Sequence, residues 1–138
     1  MEFDLLEYDM VFAGSGVYEW LPGKPVISLF SKLVKEYREK GFINQPAQRR
    51  YPKKAVMYCT YGGTHTGINE AIPTVKYMGQ LFEHLGFDII GEWYFVGEFH
   101  GGFRDFSKKG KLGDITGRPN ENDLNEISEL VKGVLKIK

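Results

Sequence analysis

The sharpest chemical feature of the sequence is residues 60–67, Thr-Tyr-Gly-Gly-Thr-His-Thr-Gly. An apolar run at 55–59 (AVMYC) leads into it, and a helical pattern leads out. A glycine-rich turn between a strand and a helix N-terminus gathers several N–H groups and hydroxyls, which suits an anion or the carbonyl edge of a ring. The lysine of a nucleotide P-loop is absent, so the motif does not support ATP or GTP hydrolysis. An ordinary tight turn accounts for the same residues without a ligand. A second stretch, 14–23 (GSGVYEWLPG), follows the apolar run 9–14 (DMVFAG) and sets Tyr18 and Trp20 just beyond it. Their ring faces suit stacking on a flat heterocycle. Folding over the core is the commoner use of such aromatics.

Other reactive residues carry less. Cys59 sits inside an apolar strand pattern and reads as a small buried side chain rather than a nucleophile served by His65. His65, His84 and His100 lack metal-ligand spacing. Glu98, His100 and Asp105 fall in a glycine-rich stretch that reads as a solvated loop in preference to an acid–base site. Arg49, Arg50, Lys53 and Lys54 cluster in sequence. They read as a solvated turn, with contact to a phosphate or an acidic partner as the alternative.

Composition narrows the classes. A length of 138 residues fits one domain with a core of ordinary size. Hydrophobic residues at 42% and charged residues at 26% are globular proportions. Eighteen basic residues cancel 18 acidic ones, so nothing in the charge favours nucleic acid. No apolar run approaches the ~18 residues of a spanning helix. The opening MEFDLLEYD lacks a basic-then-apolar leader pattern, and the single Cys59 offers no internal disulfide. A cytoplasmic protein is the expectation, with neither membrane nor nucleic acid as partner.

The elements that must position these loops follow from periodicity. Residues 9–14, 53–60 and 87–97 read as short strands, apolar enough to be buried on both faces. A helix is predicted over 24–40, with Val26, Phe30, Leu33 and Tyr37 on one face and Ile27, Leu29 and Val34 widening it. Pro25 suits its first turn and Gly41 its end. The next helix starts between 69 and 72, carries Val75, Met78, Leu81, Phe82 and Leu85, and stops at Gly86. After an irregular stretch at 98–119, a last helix follows Asn120, a good N-cap. Its apolar face is Leu124, Ile127, Leu130, Val131 and Val134. Strands alternating with amphipathic helices argue for an α/β fold: an open parallel sheet of about three strands with flanking helices. In such sheets ligands lie off the carboxyl ends of the strands, where both glycine-bearing loops fall.

The run EYDMVFAGSGVY at 7–18 resembles the third strand and following loop of flavodoxin-like proteins, where a "yD-hydrophobic-G-S-P-v-Y" pattern recurs. Residues 56–67 resemble the fourth strand and its loop, Gly91 onward resembles the fifth strand, and GRPNENDL at 117–124 resembles the "GRP-x-x-x-D-L" start of the final helix. The resemblance covers nearly the whole chain and implies FMN. By position, Ser15, Gly16, Val17, Tyr18 and Trp20 would flank its ring, and Thr60, Tyr61, Gly62, Gly63 and His65 would meet its polar edge. Gly16 stands where the family usually has proline. The family also places a strand, a Ser/Thr/Gly phosphate loop, a helix and a second strand ahead of the segment matching 2–9. Those parts lie outside these residues. Each lost charge-assisted bond to the phosphate is worth about 1.5–3 kcal/mol, so FMN should bind weakly to the chain alone.

Two expectations follow. The first is a flavodoxin-like, FMN-binding redox or electron-transfer protein with weakened or oligomer-dependent cofactor binding and no catalytic side chain. The alternative is a flavin-free interaction or scaffold subunit of the same fold. In both, the apolar strand at 9–14 becomes a sheet edge that invites a second copy or a complementary chain, beside any redox partner protein.

Overall fold

The computed structural model describes residues 2–137. Three strands alternate with three helices: β1 (Met10–Gly16), α1 (Lys24–Glu39), β2 (Lys54–Tyr61), α2 (Ile72–His84), β3 (Asp88–Val96) and α3 (Glu121–Leu135). Short 3-10 segments stand at Leu5–Glu7, Gly67–Glu70 and Gly101–Ser107. The sheet is open and fully parallel in the order β1-β2-β3. The expected α/β architecture is therefore the observed one. Strand ends differ from the sequence expectation by one or two residues; β1 extends to Gly16 because its ladder with β2 runs on to the Gly16–Thr60 pair.

The sheet's two faces are filled differently. Ala55, Met57, Cys59 and Tyr61 of β2 point to one side, into a cluster with Phe30, Leu33 and Tyr37 of α1 and Val75, Met78 and Phe82 of α2. This is the period-two alternation of a strand meeting the 3.6-residue faces of two helices. The opposite face carries an aromatic row. Phe12 lies 6.0 Å from Trp93, Tyr58 lies 6.2 Å from Phe95, and Trp93 lies 6.2 Å from Phe95, centroid to centroid. Gly14 makes this row possible, because a Cβ there would overlap the Tyr58 ring. α3 packs on this side through buried Val134.

Helix ends follow from their residues. Pro25 opens α1. Gly41 and Gly86, in the left-handed region at φ 80° and 85°, end α1 and α2. Asn120 caps α3 in a reciprocal capping box with Asp123. Below the sheet, the Tyr37 hydroxyl accepts from the Leu5 N–H (2.7 Å) and donates to Asp4 (2.8 Å), fastening the first 3-10 turn to α1. The sequence pattern does not announce that turn.

Two apolar faces are less covered than periodicity predicts. Leu29 is exposed on α1. On α3, Leu124 (57%) and Leu130 (36%) are exposed. α3 lies over β3 and leaves the β1 side of the sheet open; Leu130 borders a groove against Ile90 and Trp93 and stays partly exposed. β1 is a free edge. Its odd-numbered backbone groups turn to β2, as the Lys54 N–H to Asp9 O (2.9 Å) and Val17 N–H to Thr60 O (3.1 Å) bonds show. The groups of Met10, Phe12 and Gly14 therefore point outward, and the Phe12 ring is part-exposed.

The basic cluster is mostly structural. Arg49 pairs with Asp88, Arg50 donates to the Leu85 and Phe42 carbonyls, Lys53 reaches Tyr8 O and Asp9, and Lys54 is buried.

One prediction concerns acid stability. Arg118 grips both oxygens of Asp123 (3.0 and 2.5 Å), and the Asn120 N–H adds a third bond (2.8 Å). The guanidinium first, and the amide next, hold the Asp123 carboxyl at about 2. An unfolded aspartate titrates near ~3.9. The contribution is therefore whole above that value and is lost as pH falls through the folded value. Asp123→Asn should lower the urea midpoint at neutral pH and flatten its decline between about pH 4 and pH 2. An unchanged acid profile contradicts this.

Candidate functional site at the carboxyl ends of the strands

Both glycine-bearing loops emerge from adjacent strands at the carboxyl edge of the sheet, and the Val17 N–H to Thr60 O bond joins them. The loop after β1 is tightly built. The Ser15 hydroxyl donates to Gly16 O (2.8 Å) and accepts from the Gly23 N–H (3.0 Å), closing the loop at its base. Tyr18 and Leu21 exchange two backbone bonds (2.8 and 3.2 Å) across Glu19 and Trp20, whose φ angles are 49° and 70°. Such a two-residue hairpin needs a left-handed backbone at both central positions, normally glycine or asparagine. Glutamate and tryptophan there cost about 1–3 kcal/mol each. Two tertiary anchors offset this. Pro22 is fully buried, and the Thr74 hydroxyl of α2 donates to Trp20 O (2.8 Å).

The consequence is exposure. Tyr18 is 65% and Trp20 59% accessible. Folding over the core was the commoner expectation for this pair; both rings instead stay largely exposed, with the Tyr18 ring lying over Gly16 and Gly23 of its own loop. Val17 turns the other way and packs against the core cluster.

In the 60–67 loop, Gly63 and Gly67 adopt φ 60° and 71° and are bridged by the Gly67 N–H to Gly63 O bond (3.0 Å). Tyr61 is buried, Thr60 is exposed, and the His65 ring is open to solvent. The His65 and Thr66 N–H groups both donate to Glu70 Oε2 (3.0 and 3.2 Å), and Glu70 Oε1 lies 3.4 Å from His65 Nδ1. This part of the anion-seeking turn is thus filled by the protein's own carboxylate. The N–H groups of Gly62, Gly63 and Thr64 have no acceptor among the described residues.

The 98–119 stretch, read from sequence as a solvated loop, is folded onto this site. Lys111 N–H donates to Thr64 O (2.8 Å), the Thr64 hydroxyl reaches Phe106 O (3.4 Å), and the Phe99 ring lies where a Cβ on Gly62 would stand. Ser107, buried, holds the fold-back by accepting the Phe99 N–H (2.7 Å) at its hydroxyl and the Ile115 N–H (2.8 Å) at its carbonyl. Phe103 and Phe106 stack at 5.9 Å and remain largely exposed beside the loop.

Thr74, Glu70 and Phe99 are the site residues that sequence reasoning missed. Glu70 carries a signal, a carboxylate four residues beyond Thr66 at a helix start. Thr74 carries none, since its partner is 54 residues away.

Cys59 points into the α1/α2 cluster, and burial pushes its thiol up to about 12. No three His, Cys, Asp or Glu side chains group as metal ligands among the described residues. Clefts elsewhere are of other kinds. One of about 570 Å³ lies between the C-terminal ends of α1 and α2, around Arg38, Pro46 and His84. A groove of about 440 Å³ runs between β3 and α3, around Trp93 and Leu130.

No protein-family model, curated protein or solved structure matches the chain. Its own geometry is what bears on a ligand. Tyr18 and Trp20 are exposed on one loop, and three N–H groups of the other have no acceptor among the described residues. The His65 and Thr66 N–H groups are already taken by Glu70.

A direct check concerns the thiol. Native protein should not react with a thiol reagent such as iodoacetamide at neutral pH on the time scale that labels the urea-unfolded chain completely. Rapid native labelling would show Cys59 to be accessible.

Proposed function

We propose that the chain is a flavin-binding redox module, flavodoxin-like in kind, which holds an isoalloxazine ring between the turn at 18–21 and the loop at 60–67. The observation that supports this most is the Tyr18–Trp20 pair, held solvent-ward on a turn that costs backbone strain to keep. Strain of that kind persists where the surroundings over-determine it, and binding sites are where it gathers. In this reading Tyr18 and Trp20 give the stacking faces. Thr64 offers its N–H to the ring's polar edge, with Thr60 and His65 beside it. Phe99 would have to move, and Gly63 be uncovered, before the N–H groups of Gly62 and Gly63 could join. Bound FMN supplies the electron chemistry. The chain's residues bind, orient and shield the ring, and no side chain is assigned a catalytic role. Affinity for FMN is weak in the isolated chain, because the ring contacts act without a phosphate grip. A cytoplasmic setting belongs to the same reading.

The second reading is a flavin-free interaction subunit. The occupation of the loop amides by Glu70 and the open β1 edge favour it. In both readings the outward backbone groups of β1 are covered by a second copy across a two-fold axis, or by a complementary chain.

Titration of FMN with the protein should quench flavin fluorescence. Trp20→Ala and Tyr18→Ala should each weaken binding by about three- to tenfold, the scale of one stacking contact. No quenching up to millimolar concentrations removes the flavin reading and leaves the interaction subunit. Association is tested separately. Phe12→Lys, judged by light scattering, should lower the mass to that of the monomer without loss of folded signal; a wild-type chain already monomeric at micromolar concentration contradicts the self-pairing.

A further inference from the structure

We infer that Thr74 is the positioning residue of the ring-facing turn: its hydroxyl, donated to the Trp20 carbonyl, holds Glu19 and Trp20 in left-handed backbone and thereby sets Trp20 as a fixed wall of the site. This rests on the flavin reading for the ligand, although the state of the turn is measurable without one.

The anchors differ in what they touch. Ser15 ties the base of the loop through Gly16 and Gly23. Pro22 fixes the return arm by burial. Among the described residues, only the Thr74 hydroxyl makes a side-chain hydrogen bond to either left-handed residue (2.8 Å, to Trp20 O). Thr74 is fully buried, so its hydroxyl has no water to fall back on, and the bond to Trp20 O is its means of satisfaction. It is also spare for this task. Thr74 lies in the first turn of α2, yet no side chain caps that helix, and the Thr74 N–H is met by Ala71 O (3.1 Å). α2 begins directly after the 3-10 turn that carries Glu70. Thr74 therefore links the start of the helix behind one loop to the tip of the other. With the Val17–Thr60 bond it sets the spacing of the two walls.

The test uses the 138-residue chain with Trp93→Phe, so that Trp20, the other of its two tryptophans, reports alone. Thr74→Val removes the hydroxyl at constant shape, and Thr74→Ser keeps it. Glu19→Gly in the Thr74→Val background relieves the strain that the hydroxyl opposes. The readouts are Trp20 anisotropy and acrylamide quenching without ligand, FMN titration, and the urea midpoint. In Thr74→Val, anisotropy should fall and FMN affinity should drop about tenfold, the scale of one lost hydrogen bond. Thr74→Ser should stay within about twofold of the parent, and Glu19→Gly should restore most of both signals. Parental anisotropy in Thr74→Val overturns the inference, as does a Thr74→Ser that behaves like Thr74→Val. If Thr74→Val does not fold, Thr74→Cys, a weaker donor of similar size, takes its place. If the parent binds no FMN, the flavin reading fails while the anisotropy comparison still decides the role of Thr74.

Discussion

β2 is the strand bonded on both edges; the 60–67 loop grows from its last residues, and the loop after β1 and the segment after β3 are fastened to them. Thr60 O receives the Val17 N–H from the loop after β1, and Tyr61 O receives the Gly97 N–H from the segment after β3. Its odd residues fill the core under α1 and α2, while Val56 and Tyr58 hold the aromatic face opposite. A shift of one residue in its register would exchange those faces and move every anchor of the loops with them. The positions of Tyr18, Trp20 and Gly62 are thus consequences of one parallel ladder.

Around that ladder the molecule is lopsided. The α1/α2 side is closed: Tyr37, Val75, Met78 and Leu85 are fully buried. The α3 side is closed only over β3. Toward β1 it shows Phe12, and on α3 it shows Leu124 and Leu130. A free parallel edge beside an uncovered apolar face is unfavourable for a chain alone in water, because both backbone and side chains gain from a cover. The carboxyl end of the strands is built on the opposite principle. There exposure is imposed: a buried proline and a buried threonine hold two aromatic rings outward against the backbone preference of Glu19 and Trp20. Glu70, acting as an internal anion, satisfies two N–H groups of a turn that would otherwise seek one.

Much of this can be read from residue order. The three strands and three helices follow from short apolar runs and 3.6-residue faces. Gly41 and Gly86 end their helices and Asn120 caps the last, since these depend on the local backbone alone. The β1 edge was expected only through the resemblance, and the strand order places it there. What cannot be read this way depends on residues far apart in the chain. The outward pose of Tyr18 and Trp20 rests on Thr74, and the cover over Gly62 rests on Phe99. Leu29 looks like a core residue by periodicity; only the position of the neighbouring layer leaves it in water.

The sequence by itself determined the α/β class, the parallel order of alternating elements, and the placement of both glycine loops at one edge, because hydrophobic period and turn chemistry act over a few residues. The tertiary structure decided which side chains at that edge are offered to a partner and which are consumed internally. That choice is made by single hydrogen bonds and ring contacts between segments distant in sequence, Thr74 to Trp20 and Phe99 against Gly62 among them, and such pairings leave no local pattern.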